Sequence, residues 1–174
     1  NMVKTPGVDM STGSLGQGLS CANGMALAAK IDNADYHVYC ICGDGEMGEG
    51  QIWEAMMTSS HYKLSNLTLI LDLNGLQIDG KTEDVTNSRS LADKISSFGW
   101  KTIEIDGHDV VAIDKVLDEA KKPKECPTAV ICHTVKGKGV SFMENQAGWH
   151  GTPPNDEQYK IAYQELELAM ERLK

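Results

Sequence analysis

The sequence lacks a long apolar run, an excess of positive charge and any paired-cysteine motif. No segment approaches the roughly 18 consecutive apolar residues of a membrane span, and the first residues do not show the charged-then-apolar order of a secretory signal. Sixteen Lys and Arg against 25 Asp and Glu give a formal charge of −9. That balance excludes nucleic acid as the main partner, because a phosphate backbone is bound by a basic surface. The five cysteines, Cys21, Cys40, Cys42, Cys126 and Cys132, include no C-x-x-C and mostly stand in apolar runs, where a thiol behaves as a small hydrophobe. The pattern reads as a reduced, cytoplasmic protein with neither membrane contact nor a zinc site. Internal repeats and low-complexity segments are also missing.

What is present suits a globular protein with a core. Hydrophobic residues make up 41% and charged residues 24%, and 174 residues match the usual length of one domain. The whole of 1–174 is therefore read as one domain. The chain starts at Asn1 rather than Met and enters a glycine-rich loop at once, so a truncated N-terminus is expected. "HVYCIC" (37–42) and "LTLILDL" (67–73) are almost wholly apolar, as strands buried on both faces of a parallel sheet are. "KTIEI" (101–105) and "TAVICHTV" (128–135) are two further strands. Between them, Ile52, Trp53, Met56 and Ser60 share one helical face, and so do Leu91, Ile95 and Phe98. A third helix carries Val110, Ile113, Val116, Leu117 and Ala120, with Asp109 as its N-cap. Alternating strands and helices predict an α/β fold, a doubly wound and mostly parallel sheet flanked by helices.

Both ends of the chain read as helical. The stretch 13–30, "GSLGQGLSCANGMALAAK", is a helix rich in small residues. Each glycine costs it about 1 kcal/mol, which close packing against a partner segment or a cofactor would offset. The tail reads as an amphipathic helix over about 155–173, capped by Asn155 or Asp156. Its stripe of Tyr159, Ala162, Tyr163, Leu166, Met170 and Leu173 is expected to dock on the domain surface.

"CGDGEMGEG" (42–50) contains G-x-G-x-x-G at Gly43, Gly45 and Gly48, the fingerprint of dinucleotide sites. Asp44, Glu46 and Glu49 stand in the same loop, where a pyrophosphate would be repelled. At about 4 Å that repulsion is ~1 kcal/mol in water and several in a cleft. A metal-bridged diphosphate resolves the conflict, since Mg²⁺ takes one or two protein oxygens together with phosphate oxygens and water. A second ligand should come from the end of the next strand, and "LTLILDL" ends directly in Asn74, Gly75 and Leu76. The thirty positions between Asp44 and Asn74 are one strand–helix–strand unit, and a right-handed crossover brings both loops to one sheet edge. Asp44 offers charge, Asn74 an amide oxygen, and the turn can aim the main-chain carbonyl of Leu76 at the same ion.

"GDGEMGEG" followed by the Asn of "LNGLQIDG" resembles the two-part motif of thiamine diphosphate enzymes. "STGSLGQGLS" (11–20), "MGEGQIWEA" (47–55) and "NQAGWHGTPP" (145–154) resemble transketolase in particular, through essentially the whole chain. The resemblance implies that Asp44, Asn74 and the Leu76 carbonyl hold Mg²⁺ or Ca²⁺ on the cofactor's diphosphate, with the Gly45 N–H on a phosphate. It implies that the backbone of Gly13, Ser14 and Leu15 faces the aminopyrimidine ring. Glu49, joined by Glu54, falls on a carboxylate network near a subunit interface, and His150 lies close to the diphosphate and the reacting oxygens of the substrate. The implied activity is transfer of a two-carbon ketol unit from a ketose phosphate to an aldose phosphate, with His150 moving a hydroxyl proton.

The chain departs from the family in three ways. It begins just before the "GSLGQG" loop, downstream of several cofactor-contacting histidines, and it lacks the middle and C-terminal domains. A partner chain or missing domains are therefore expected to complete an interfacial site, and the isolated chain is expected to be inactive. The alternatives are 1-deoxyxylulose-5-phosphate synthase or a dehydrogenase-type thiamine enzyme, a NAD-dependent oxidoreductase, or a non-catalytic scaffold subunit. His37, His61, His108 and His133 read as structural or exposed, and "KGKG" (136–139) as a solvated basic turn in preference to a phosphate contact.

Overall fold

The computed structural model describes residues 1–86, 90–122 and 125–173. Its frame is a sheet of four parallel strands: β1 (Val38–Gly43), β2 (Leu67–Leu73), β5 (Lys101–Asp106) and β6 (Thr128–His133), in the order β1-β2-β6-β5. Two short strands, β3 (Leu76–Gln77) and β4 (Gly80–Lys81), form a separate antiparallel hairpin just past the end of β2. The helices are α1 (Gln17–Asp32), α2 (Gly50–His61), α3 (Thr82–Val85), α4 (Leu91–Ser97), α5 (Val110–Lys121) and α6 (Asp156–Arg172). Among the described residues no helix is long and apolar enough to cross a membrane.

Strand position decides burial. The main core lies on the face covered by α1, α2 and α4, where Leu19, Ile52, Met56, Leu69, Leu71 and Ile95 are sealed from water. Each such side chain contributes about 1.5–3 kcal/mol by leaving water. On the opposite face Val116 of α5 packs with Val130, Cys132, Ile70, Ile103 and Ile105. Central β2 and β6 are buried on both faces, as their apolar runs predict. Edge strand β1 is not: Cys40 and Cys42 face the main core, but Ile41 is 73% exposed on the other side. Its apolar run is not matched by cover on both faces because α5 lies across β5 and β6 at the other end of the row.

Local chemistry sets the helix ends. Asp109 caps α5 by accepting from the N–H groups of Val111 and Ala112. Asn155 and Gln158 make a reciprocal capping box at the start of α6. The helix expected from residue 13 begins at Gln17, because Gly16 takes a left-handed φ of 85° that a helix cannot continue through. The close packing expected of its glycines holds at two of them. A Cβ on Gly16 would stand 3.2 Å from Glu49 Cβ, and one on Gly18 would stand 3.1 Å from Thr12 Oγ1, whereas Gly24 faces open space. The tail helix forms where expected, but its stripe does not dock. Tyr159, Tyr163, Leu166 and Met170 are all exposed, and Glu165 tethers the helix by accepting from the Ser141 N–H and hydroxyl.

Candidate functional site

The carboxyl ends of β1 and β2 lie side by side, in register from Val38 opposite Leu67 to Gly43 opposite Asp72. Residue 44 therefore leaves the sheet beside the turn at 73–76, where open parallel sheets hold ligands. The Asp44 N–H extends the ladder by donating to the Asp72 carbonyl at 3.0 Å. Its side chain is 2% exposed. One carboxylate oxygen accepts from the Gly45 N–H at 2.9 Å and the other from the Gly75 N–H at 2.7 Å, so a residue of the first strand end clasps the turn of the second.

This clasp leaves a buried charge only partly compensated. Burial pushes the Asp44 carboxyl above the ordinary carboxylate range, the N–H groups of Gly75 and Gly45 pull it back, and the nearby Asp72 charge adds to the upward push. Among the described residues no ion pair engages Asp44. Each carboxylate oxygen has a second lone pair beyond its one N–H partner, so the group can still accept a cation.

The turn after β2 is held from several directions. Asn74 Oδ1 accepts from the Leu76 N–H at 3.0 Å, and Asn74 Nδ2 donates to Asp72 Oδ1 at 3.3 Å. The same Asp72 oxygen accepts from the Thr134 hydroxyl, which follows β6. Gly75 occupies φ 76°, and its carbonyl accepts from the Thr82 N–H. Gly45 is tightly placed: a Cβ there would lie 2.9 Å from Gln77 Cβ. Asp44, Gly45, Asn74 and Leu76 are thus brought together as the sequence predicts, and Asp72 is the hub that spacing alone did not single out.

The remaining predicted residues lie on the loops ahead of α1, α2 and α6, apart from Glu54 within α2. Gly13, Ser14 and Leu15 are exposed, just ahead of α1. Their loop is tied to the strand end by Glu46, whose carboxylate accepts from the Gly16 N–H at 2.7 Å. Glu49 is exposed and caps α2 without a side-chain hydrogen bond, packed next to Gly16. Glu54 is also exposed and lines a groove of about 380 Å³ between α1 and α2, with Ser20, Asn23 and Gln51. The structure shows no hydrogen bond joining Glu49 to Glu54 among the described residues.

His150 closes a 3-10 turn, Ala147–His150, that packs against β3 and so stands next to the Asn74 turn. Trp149 fixes that turn by donating from its indole N–H to the Phe142 carbonyl at 3.0 Å. Lys136 Nζ lies 3.4 Å from His150 Nδ1. Lys136 stands at this edge because the chain doubles back where the Asn145 N–H donates to the Lys136 carbonyl. Glu46 and Lys136 are both visible in the sequence, but without the partners they take here. The signal for Glu46 was an acid directly after G-D-G; for Lys136 it was a lysine just past a buried strand. Neither reveals its partner without the chain path.

The arrangement is that of a known family. The model of the transketolase thiamine diphosphate binding domain matches residues 1–172. The chain is 45% identical over 171 residues to an apulose-4-phosphate transketolase subunit of Phocaeicola vulgatus, covering 98% of this chain and 61% of that protein. It is 44% identical over 149 residues to human transketolase, covering 83% of this chain and 23% of the human one. The crystal structure of Campylobacter jejuni transketolase superposes with a TM-score of 0.87 at 34% identity, over 95% of this chain and 27% of that one. The chain spans about three fifths of the length of the Phocaeicola protein and about a quarter of the full transketolases. With its mostly parallel, helix-flanked sheet, the chain belongs to the transketolase N-terminal, thiamine diphosphate binding domain family.

Proposed function

We propose that this chain is the diphosphate-binding portion of a thiamine diphosphate- and Mg²⁺-dependent transketolase. On this reading it acts with a complementary subunit or further domains at an interfacial site in the cytoplasm. One observation carries the reading: a nearly water-free carboxylate, Asp44, grips the Asn74–Leu76 turn, with no ion pair to balance it among the described residues. The donors fit a hard divalent ion. A carboxylate oxygen, an amide oxygen and a main-chain carbonyl are what Mg²⁺ selects, and it fills its other positions from phosphate and water. That fit is consistent with there being, among the described residues, no cluster of three His, Cys, Asp or Glu side chains able to hold a metal alone.

In this mechanism Asp44, Asn74 and the Leu76 carbonyl would hold the ion. The Lys136 ammonium would offer positive charge to the diphosphate, and the Gly45 N–H would do so on leaving the Asp44 carboxylate it now donates to. Bound thiamine diphosphate supplies the carbon nucleophile and the electron sink for moving a two-carbon ketol unit between a ketose phosphate and an aldose phosphate. The backbone of Gly13, Ser14 and Leu15 would flank the cofactor ring, in a loop that Glu46 keeps against the strand ends. His150 takes or returns the substrate hydroxyl proton at Nε2, with the Lys136 ammonium 3.4 Å from its Nδ1. Glu49 and Glu54 present carboxylates to the partner chain.

Calorimetric titration of the chain with its complementary subunit tests this reading. Thiamine diphosphate should bind only with a divalent ion, and NAD should not bind. Metal-independent binding of either ligand would overturn it.

A further inference from the structure

β1 carries two cysteines that the proposed chemistry does not use. Cys40 and Cys42 are two positions apart on one strand, so both side chains point to the α1 face. Their sulfurs are 3.8 Å apart, and the residues are 8% and 2% exposed. The first turn of α1 roofs the pair. A Cβ on Gly18 would lie 3.6 Å from Cys40 Sγ and 3.1 Å from the Thr12 hydroxyl oxygen. On the other side the Glu46 carboxylate stands near the Cys42 thiol and holds the Gly16 N–H at 2.7 Å. The thiols therefore sit beneath Thr12 and the first turn of α1, beside the Glu46 tether of the 11–16 loop.

Two sulfurs at this spacing select their ligand by count. A disulfide would need them to close to about 2.05 Å and would require an oxidant. Zinc asks for four ligands, and among the described residues no third His, Cys, Asp or Glu completes a metal cluster. A monosubstituted trivalent arsenical needs two thiols only, because it brings its own third substituent. We propose that Cys40 and Cys42 form a dithiol site for trivalent organoarsenicals, and that its occupation loosens the 11–16 loop. In the reaction with R–As=O two As–S bonds form and the arsenic–oxygen bond breaks. Both thiol protons leave on that oxygen as one water, and arsenic stays trivalent.

The test uses the full chain and phenylarsine oxide, with intact mass, thiol titration and peptide mapping as readouts. One adduct per chain is expected, with two of the five thiols lost and both mapped to the peptide holding Cys40 and Cys42. The adduct should be reversed by a dithiol and persist in an equal concentration of monothiol. Cys40→Ser and Cys42→Ser should each weaken adduct formation at least about tenfold, and the Cys21→Ser, Cys126→Ser, Cys132→Ser triple variant should retain it. Mapping of the unsubstituted protein keeps the test valid if a buried serine unfolds the chain. Loss of thiols at Cys21, Cys126 or Cys132 instead would overturn the site. Hydrogen exchange in the 11–18 segment should quicken in the adduct, and unchanged exchange there would overturn the coupling to the loop.

Discussion

The two ends of the candidate site are built by different means. The strand end at Asp44 and Asn74 is interior, fixed by sheet register and hydrogen bonded on both carboxylate oxygens. The loops carrying Leu15 and His150 are exposed and are held by single hydrogen bonds such as Gly16 N–H to the Glu46 carboxylate and the Trp149 indole N–H to the Phe142 carbonyl. A sheet end resists displacement because moving it breaks the ladder, whereas a loop can follow a ligand or a partner. The inner end should therefore govern affinity for metal and diphosphate, and the outer loops should govern turnover.

Substitutions can break that division, beginning with the largest effect. Asp44→Ala should cost at least about 1,000-fold in metal-dependent cofactor affinity, ~4 kcal/mol, measured by calorimetry. His150→Ala should cut ketol transfer by the assembled enzyme about 100-fold, the lower range for a lost proton carrier, and leave cofactor affinity within a few-fold of the parent. If His150→Ala weakened cofactor binding as much as Asp44→Ala did, the division would fail. Asp72→Asn, which disturbs the support of Asn74, should lower metal affinity about 10- to 100-fold, as the loss of outer partners does. Glu46→Ala removes the link between the two ends and should cost a smaller, roughly fivefold loss in cofactor affinity, the worth of about one hydrogen bond. Its effect should be visible as faster hydrogen exchange at Gly16.

Acid dependence sharpens the same contrast. Burial raises the Asp44 carboxyl above its ordinary value, so its charge costs folded stability at neutral pH, and that cost disappears as pH falls below the ordinary carboxylate range. The metal-free melting difference between the parent and Asp44→Asn should therefore be larger at neutral pH than in acid. Metal with cofactor should raise the melting temperature of the parent alone. The smallest effect belongs to the surface. Lys122 and Lys101 pull the exposed Glu119 carboxyl down to about 2 from its ordinary 4.5. That contribution is present above 4.5 and is lost as pH falls towards 2. Glu119→Gln should thus change melting only slightly, with cofactor binding unaltered.

Much of the fold was legible because its strongest signals are local. The apolar runs at 67–73 and 128–133 became central strands, and Asp109 and Asn155 cap the helices they precede. Asp44 and Asn74 were legible as a pair because one strand–helix–strand unit has a fixed reach and hand. The uncovered face of β1 and the undocked stripe of α6 were not legible. An apolar pattern states that a surface seeks cover, and it carries no record of which segment provides it.

The sequence by itself determined the period of each element, the caps and the acidic glycine turn, since these depend on residues a few positions apart. Only the tertiary structure decided that Glu46 reaches back to Gly16, that Thr134 meets Asp72, and that Lys136 stands at His150. Those contacts join residues 30, 62 and 14 positions apart. The physical reason is that strand order and loop path place them, and neither is written in local spacing.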